Sequence, residues 1–301
     1  MSAFAALLLI GALWGMTIPL TRIAVSTGHD PVGLIFWQLL IGTIALGGLT
    51  FARGRRLPLG RAYWGLFIVV ALIGTLIPNS FSYRAAVHLP AGIMALVIAM
   101  VPMFAMPIAL GLRLERPRLG RFVGVGLGAI AVAMIVGPET SLPAGVAAVW
   151  VAISLIAPLC YGLEGNYLAW KGTRGLDPVE VLFGASLFGL ILVTPFAVTG
   201  GRFVSLTDGL GAAELAVLSS GVLHAAAYAG YVYLVGRAGS VFASQVAYLV
   251  TAFGVIWSML LLGERYALWV WLAFGLMLAG MALVQPRPAD QQKPDSPAQS
   301  A

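Results

Sequence analysis

The sequence predicts an all-α polytopic membrane protein whose ten transmembrane helices form two inverted five-helix repeats. Three observations predict this fold. The 301-residue chain is 60% hydrophobic, only 9% charged and has a mean hydropathy of +0.96, whereas soluble domains carry about 25% charged residues. Ten apolar stretches have the length of about 20 residues that a bilayer-crossing helix needs. Short motifs also recur in the two halves of the chain at a nearly constant offset.

The ten apolar stretches follow one another with short loops between them. We expect helices over residues 3–25, 31–52, 62–84, 91–112, 119–137, 145–170, 178–199, 212–235, 239–262 and 266–285. Glycine, proline and charged residues mark the breaks, as at 53–56 and 200–202. The tail 286–301 is polar and proline-rich, and we expect it to be disordered.

The two halves share sequence motifs. The start of the second stretch, Asp30 to Val32, returns at 177–179, an offset of 147 (177 − 30). Glu115 returns as Glu264, an offset of 149 (264 − 115). These offsets predict one repeat over 3–137 and another over 145–285. Because five is an odd number of helices, the second repeat begins on the opposite side of the membrane, as in many secondary transporters.

The distribution of positive charge predicts the orientation. Thirteen Lys and Arg residues fall on the side of the N-terminus and four on the other side. The positive-inside rule then places both termini in the cytoplasm of a multi-pass protein of the cell (inner) membrane. The charges lie in short loop clusters and form no basic face, which argues against a nucleic-acid partner. The single cysteine, Cys160, excludes a disulfide framework and a thiolate metal site.

Glu164 is the most informative single residue. A carboxylate at membrane depth costs roughly 2.5–3.5 kcal/mol on insertion scales, so it should face the protein interior or water. This predicts a role in substrate binding and, if the protein is coupled to protons, the first candidate proton carrier. Asn166, two positions later, joins it as a candidate substrate-binding residue. The alternative is that Glu164 reaches the cytoplasmic interface or pairs with Arg22 or Lys171.

Two further helices carry polar groups at positions that could line a cavity. His224 and Tyr228 lie four residues apart on the eighth stretch and therefore near one face of the helix. His224 is the second candidate proton carrier, and the alternative is a hydrogen-bonded core histidine. Asn79 and Tyr83 follow Pro78 on the third stretch, where a kink would free backbone groups beside a polar patch. The alternative for these side chains is hydrogen bonding between helices.

Three more residues join the candidate substrate site because of their positions along their helices. Gln245 and Tyr248 lie three residues apart on the ninth stretch, as two groups lining one cavity would. Trp14 lies deep in the first stretch, which favours the transport pathway over an interfacial aromatic belt.

Two local patterns predict packing. Glu115-Arg116 and Glu264-Arg265 lie at the ends of two stretches, and we expect local ion pairing there that fixes the helix ends, with gating as the alternative. Gly120, Gly124 and Gly128 form a ridge of small residues that predicts close helix packing, with a homodimer seam as one option.

The order and spacing of these motifs resemble the drug/metabolite transporter superfamily, and specifically its ten-helix EamA-type branch. The resemblance rests on Trp14-Gly15 with Arg22 eight positions later, on the run from Tyr83 to Glu115, and on Tyr231 to Leu234, Arg237 to Ser240 and Leu262 to Glu264. It implies export of small solutes such as amino acids, other metabolites or drugs. Seven residues after Pro31, where the family usually carries an arginine, this chain has Gln38, which we add to the candidate substrate site.

The sequence thus predicts a secondary transporter, an exporter of a small-molecule substrate that works by alternating access through a central cavity. Proton coupling and facilitated diffusion both remain open. A membrane enzyme or receptor with a fixed site around Glu164 and His224 is one alternative, and a flippase for a lipid-linked substrate is another. The sequence has no H-E-x-x-H, G-x-S-x-G or Walker A motif, so we expect no enzyme activity, no cofactor and no metal.

Overall fold

The computed structural model describes residues 2–26, 28–115, 117–136, 148–199, 201–204, 209, 211–238 and 245–284. The tail expected at 286–301 lies outside these described residues. Within the described part of the chain all regular structure is helical. The ten segments are α1 (Ala3–Val25), α2 (Pro31–Ala52), α3 (Arg61–Ala86), α4 (Ala91–Gly111), α5 (Leu119–Val136), α6 (Ala148–Lys171), α7 (Pro178–Thr199), α8 (Ala212–Ala238), α9 (Val246–Leu262) and α10 (Leu268–Val284).

These helices match the ten predicted stretches. In the described residues, seven are long and apolar enough to span a membrane, and α5, α9 and α10 are shorter apolar helices. The all-helical polytopic fold predicted from the sequence is therefore confirmed. We call the side of the molecule that carries the start of α1 the N-terminal face, and the other side the opposite face.

The repeated Asp-Pro motif begins a helix in both halves. Asp30 caps α2 by accepting a hydrogen bond from the Val32 amide at 2.8 Å, and Pro31 occupies the first turn. In the second half Asp177 accepts from the Glu180 amide at 3.0 Å, and Glu180 accepts from the Asp177 amide at 2.8 Å. This reciprocal pair is a capping box. The same motif therefore starts the same helix of each repeat.

Three helices are interrupted close to proline residues. In α3 a π-helical turn over Leu72–Leu76 precedes Pro78. The two halves of α4 separate at residues 99–100, just before Pro102. The two parts of α6 meet at Leu155, before Pro158. Proline lacks an amide donor and its ring displaces the preceding turn, so each break leaves backbone groups that neighbouring helices must satisfy.

Helix packing follows the duplication. The first helix of each repeat packs against the third and fourth helices of the other repeat: α1 lies on α8 and α9, and α6 lies on α3 and α4. Helices α2 and α7 pack on each other, as do α5 and α10. Each of these contacts is reproduced when the two repeats are exchanged. This pattern is what a pseudo-twofold arrangement of inverted repeats requires.

Two ion pairs show the same symmetry at opposite faces. Arg55 contacts Asp177 at 3.0 Å on the N-terminal face, and Arg202 contacts Asp30 at 3.7 Å on the opposite face. Both members differ by 147 positions between the pairs (202 − 55 and 177 − 30). Each pair joins the end of the second helix of one repeat to the start of the second helix of the other.

The glycine ridge on α5 packs inside the chain. A Cβ on Gly124 would lie 2.6 Å from the carbonyl oxygen of Gly280 on α10, and a Cβ on Gly128 would overlap the side chain of Met103. A Cβ on Gly120 would meet open space. Contacts of α5 with α10 at Gly124 and with α4 at Gly128 thus account for two of the three glycines, and a homodimer stays a prediction.

Candidate functional site

Four polar side chains meet where α2, α3 and α6 come together, and we call them the amide cluster: Gln38, Asn79, Tyr83 and Tyr161. The Oε1 atom of Gln38 accepts from the Asn79 amide and from the Tyr83 hydroxyl, each at 2.7 Å. The Oδ1 atom of Asn79 accepts from the Tyr161 hydroxyl at 3.3 Å. The structure thus brings Gln38, Asn79 and Tyr83, which the sequence placed on two separate helices, into one hydrogen-bonded group.

A second group forms between α1 and α8, and we call it the aromatic cluster: Trp14, His224, Tyr228 and Tyr231. The indole of Trp14 donates to Nδ1 of His224 at 3.1 Å. The rings of Tyr228 and Tyr231 lie 6.3 and 6.1 Å from that of Trp14. Because an indole N–H can only donate, Nδ1 of His224 must be unprotonated here. His224 is thus hydrogen-bonded to α1, and its role as a proton carrier stays a prediction.

The two clusters are related by the repeat. Tyr161 follows Trp14 by 147 positions (161 − 14), the same offset that separates the Asp-Pro motifs. Each is an aromatic side chain on the first helix of its repeat, and each hydrogen-bonds to the third helix of the other repeat. The two polar contacts therefore join equivalent helices of the two repeats, although His224 follows Asn79 by 145 positions (224 − 79), two fewer than the repeat offset.

Glu164 lies against the π-helical turn of α3. A Cβ on Gly74, at the centre of that turn, would lie 2.6 Å from Oε1 of Glu164. Tyr161 of the amide cluster lies three residues before Glu164 on α6, so the two side chains lie near one face of that helix. Only a glycine in the widened turn gives the carboxyl group room to approach α3 this closely.

The expected alternative partners of Glu164 are engaged elsewhere. Arg22 donates to the backbone oxygen of Ala86, and the ammonium of Lys171 lies 3.7 Å from the centre of the Trp170 ring. Among the described residues Glu164 makes neither a hydrogen bond nor an ion pair. Its carboxyl group is thus available to a proton or a solute.

The other three candidate residues lie away from these contacts. Asn166 is buried and donates to the backbone oxygens of Ala105 and Gly162 at 3.0 and 2.8 Å, so it attaches α6 to α4. Gln245 directly precedes α9. Tyr248, in the first turn of α9, packs half-buried against the main core. The roles of Gln245 and Tyr248 in substrate binding stay predictions.

Sequence reasoning missed Tyr161 and Gly74. Applying the offset of 147 to Trp14 would have found Tyr161, whereas no sequence signal marks Gly74, because its role depends on a contact with another helix. Helices α2 and α3 also carry two buried hydroxyl groups, those of Thr43 and Ser82, that have no hydrogen-bond partner in the described part of the protein. Both suit contact with a solute or with water.

The expected ion pair between Glu264 and Arg265 is wrong for the described residues. Instead, the Glu264 carboxylate accepts from the amides of Ala91 and Gly92 at 2.8 and 3.1 Å and so caps α4 across the repeat interface. Tyr266 also donates to this carboxylate, and burial together with that hydrogen bond raises the pKa of Tyr266. A carboxylate at a helix N-terminus satisfies amides that have no partner within the helix, which a neighbouring arginine could not do.

Comparison of the sequence with known protein families identifies one family. The model of the EamA-like transporter family matches residues 1–137 and 148–285, once for each half of the chain. The chain belongs to the EamA-like transporter family. The family resemblance predicted from the sequence is thereby confirmed, and a transporter is the class of protein that the family defines.

Individual relatives cover nearly the whole chain. An inner membrane transporter named YedA, from Escherichia coli strain K12, is 25% identical over 290 residues, which cover 93% of this chain and 90% of YedA. YedA of strain O157:H7 matches to the same extent. A solved chain described as "Crystal structure of protein" has a TM-score of 0.61 and 18% identity, with 94% of this chain and 96% of that chain covered. The last likeness shows the fold alone.

Proposed function

We propose that the protein is a secondary transporter of the inner membrane that exports a small organic solute by alternating access between its repeats. The observation that carries the proposal is the pair of contacts between equivalent helices, Trp14 with His224 and Tyr161 with Asn79. Both aromatic residues lie near the middle of their helices, α1 (Ala3–Val25) and α6 (Ala148–Lys171). A solute held between them touches both repeats, so rocking one against the other exposes it to either side.

Direction and orientation rest on separate arguments. The family resemblance favours export of amino acids, other metabolites or drug-like solutes. The relative YedA is named as an inner membrane transporter. The loops of the N-terminal face carry most of the Lys and Arg residues, which favours that face as the cytoplasmic one.

Energy coupling is proposed to proceed through Glu164. It is an ionisable group at membrane depth, without an ion pair in the described residues, three residues after Tyr161 of the amide cluster and against Gly74 of α3. Intramembrane carboxyl groups with these properties commonly carry protons in transporters. His224 is the weaker candidate, because protonation at Nδ1 would remove its hydrogen bond to Trp14. Facilitated diffusion is the alternative, and in that case Glu164 binds solute only.

Cysteine accessibility tests the central cavity. The native Cys160 is replaced by alanine, and single cysteines are then introduced at Asn79 and Tyr228. We expect both to react with a membrane-impermeant thiol reagent and to be protected by a transported solute. A cysteine at Met277, which is fully buried on α10, serves as the unreactive control. If Asn79→Cys and Tyr228→Cys are as inert as the control in every condition, the central cavity is refuted.

Counterflow in proteoliposomes tests the class of activity. Candidate solutes come from a growth-resistance screen of an overexpressing strain against toxic amino-acid analogues and drugs. A transporter exchanges external labelled solute for internal unlabelled solute, whereas an enzyme or receptor with a fixed site does not. Movement of a labelled lipid between leaflets without soluble counterflow would instead support the flippase alternative.

A further inference from the structure

A cavity of about 500 Å³ lies at the opposite face, away from the two central clusters. It is bounded by the end of α1, the connection from α1 to α2, the end of α3 and the start of α6. The polar and aromatic side chains that line it are Arg22, His29, Asp30, Arg84, His88 and Trp150. Arg22 follows Trp14 by eight residues, which places it about 12 Å further along the helix axis. The cavity is therefore separate from the proposed transport site.

Positive charge exceeds negative charge around this cavity. The carboxylate of Asp30 is already engaged, because it caps α2 through Val32 and its second oxygen lies 3.7 Å from Nε of Arg202. Glu214, the other carboxylate of this region, lies 2.7 Å from Nε2 of His29. Both negative groups therefore have partners of their own, and within the described residues no carboxylate pairs with Arg22 or Arg84.

The two arginines have donors to spare. A guanidinium group carries five N–H donors and stays charged at any physiological pH. Arg22 uses one of these donors in a hydrogen bond to the backbone oxygen of Ala86. Arg84 is exposed and has no ion pair or hydrogen bond with any described residue. Two guanidinium groups with free donors at one cavity are the arrangement that binds a carboxylate or a phosphate.

One wall of the cavity is a flat aromatic surface. The ring of His88 stacks on that of Trp150, with 3.9 Å between their centres and an angle of 17° between their planes. This stack joins the segment directly after α3, four residues beyond Arg84, to the start of α6. A planar ligand can lie along the rings while its anionic group reaches the arginines.

We propose that this cavity is an oxyanion-binding site, which takes the carboxylate or phosphate group of a small solute or of a lipid headgroup. Arg22 and Arg84 bind the oxygens, and the rings of His88 and Trp150 support the rest of the ligand. The proposal does not depend on transport, because the site can be filled and measured in a protein that moves nothing.

Calorimetry on the full-length protein in phosphatidylcholine nanodiscs tests the site, with benzoate as the probe and benzamide as its uncharged counterpart. We expect benzoate to bind at least about tenfold more tightly than benzamide, a difference of about 1.4 kcal/mol. Arg84→Gln should remove most of that preference. Arg22→Gln should do the same. If Arg22→Gln misfolds because it loses the hydrogen bond to Ala86, the Arg84→Gln variant still decides the test. Arg265→Gln, an exposed arginine of the same face that lies outside the cavity, is the matched control and should bind benzoate as the unaltered protein does.

Equal affinity for benzoate and benzamide, or full retention of the preference in Arg84→Gln, would overturn the site. A second measurement in phosphatidylglycerol nanodiscs distinguishes the two sources of the anion. If benzoate binding by the unaltered protein weakens there even at high ionic strength, where repulsion by the anionic lipid surface is screened, a lipid headgroup occupies the cavity. If it is unchanged, the site selects a soluble anion. Counterflow that fails while benzoate binds would refute transport and leave the oxyanion site standing.

Discussion

Glu164 combines two properties at the scale of one residue: an ionisable group at membrane depth and close contact with the backbone of another helix. Burying a charge without a partner is costly, so the neutral form is favoured unless water or a solute is present. In the proposed transport cycle, the carboxyl group would change its protonation state as its access to water changes.

The variant Glu164→Gln keeps the shape of the side chain and removes its proton. We expect it to abolish transport driven by a pH gradient while it leaves solute exchange largely intact, since exchange needs no net proton movement. The measurement is uptake into proteoliposomes with and without an imposed pH gradient. Glu115→Gln is the control, because that carboxylate pairs with Arg121 at 2.7 Å near the start of α5.

Loss of both activities in Glu164→Gln would assign the residue to binding or to structure. Full retention of gradient-driven uptake would remove it from the mechanism.

The variant Gly74→Ala tests the contact between Glu164 and α3. The added methyl group would lie 2.6 Å from Oε1 of Glu164, so the carboxyl group must move or the helices must separate. Overpacking of this kind costs roughly 1–3 kcal/mol. We expect a lower midpoint of thermal unfolding in detergent and weaker gradient-driven uptake. Gly65→Ala on the same helix meets no atom within 4 Å and should be neutral or slightly stabilising. Equal behaviour of the two variants would show that the contact is unimportant.

At the scale of the helices, the two faces hold the ends of the fourth helices by different contacts. Glu264 fixes the start of α4 from the loop that follows α9, so it joins the fourth helices of the two repeats at the opposite face. On the N-terminal face, its repeat equivalent Glu115 is paired with Arg121 of its own repeat. The two faces therefore differ in how their fourth helices are held.

Removal of the cap in Glu264→Ala should loosen the opposite face. Hydrogen bonds to a charged acceptor are worth about 1.5–3 kcal/mol, and two amides of α4 would lose theirs. We expect a lower unfolding midpoint and faster thiol labelling of a cysteine introduced at Ala91. Arg265→Ala, one position later, should change neither value. Unchanged labelling in Glu264→Ala would mean that other contacts hold α4 in place.

We predict that the close contact between α5 and α10 stabilises the fold. In Gly124→Val the new side chain would collide with the backbone of Gly280, whereas in Gly120→Val it would enter open space. We expect Gly124→Val to lower the unfolding midpoint and Gly120→Val to leave it unchanged, as measured on the purified protein in detergent. A loss of stability in Gly120→Val, together with a change from dimer to monomer in solution, would place that ridge in a homodimer seam.

At the scale of the whole molecule, the predicted topology places the N-terminal face and the opposite face on different sides of the membrane. Arg56 and Arg265 are both exposed, Arg56 on the N-terminal face and Arg265 on the opposite face. In the Cys160→Ala background we expect Arg265→Cys to react with an impermeant maleimide on intact cells. Arg56→Cys should react only after lysis. The reverse result would invert the proposed orientation, and labelling of both in intact cells would contradict the helix count.

The sequence by itself determined the ten helices, their duplication and the family. These depend on local properties, namely apolar length, loop residues and motif offsets, which the order of residues records directly. It also identified the helices that carry polar groups, which is why seven of its candidates, Trp14, Gln38, Asn79, Tyr83, Glu164, His224 and Tyr228, lie in or beside the two clusters.

Only the tertiary structure decided how those groups are paired. Asn166 has the same chemistry as Asn79, yet it binds backbone oxygens of α4 because the rotation of α6 turns it toward that helix. Glu264 caps α4 and does not pair with Arg265. The amides of Ala91 and Gly92 that it binds come from a distant part of the chain, so the local sequence did not indicate this contact. The oxyanion cavity likewise joins residues of three helices. Contacts of this kind depend on how rigid helices are rotated and packed, which no local pattern in the sequence specifies.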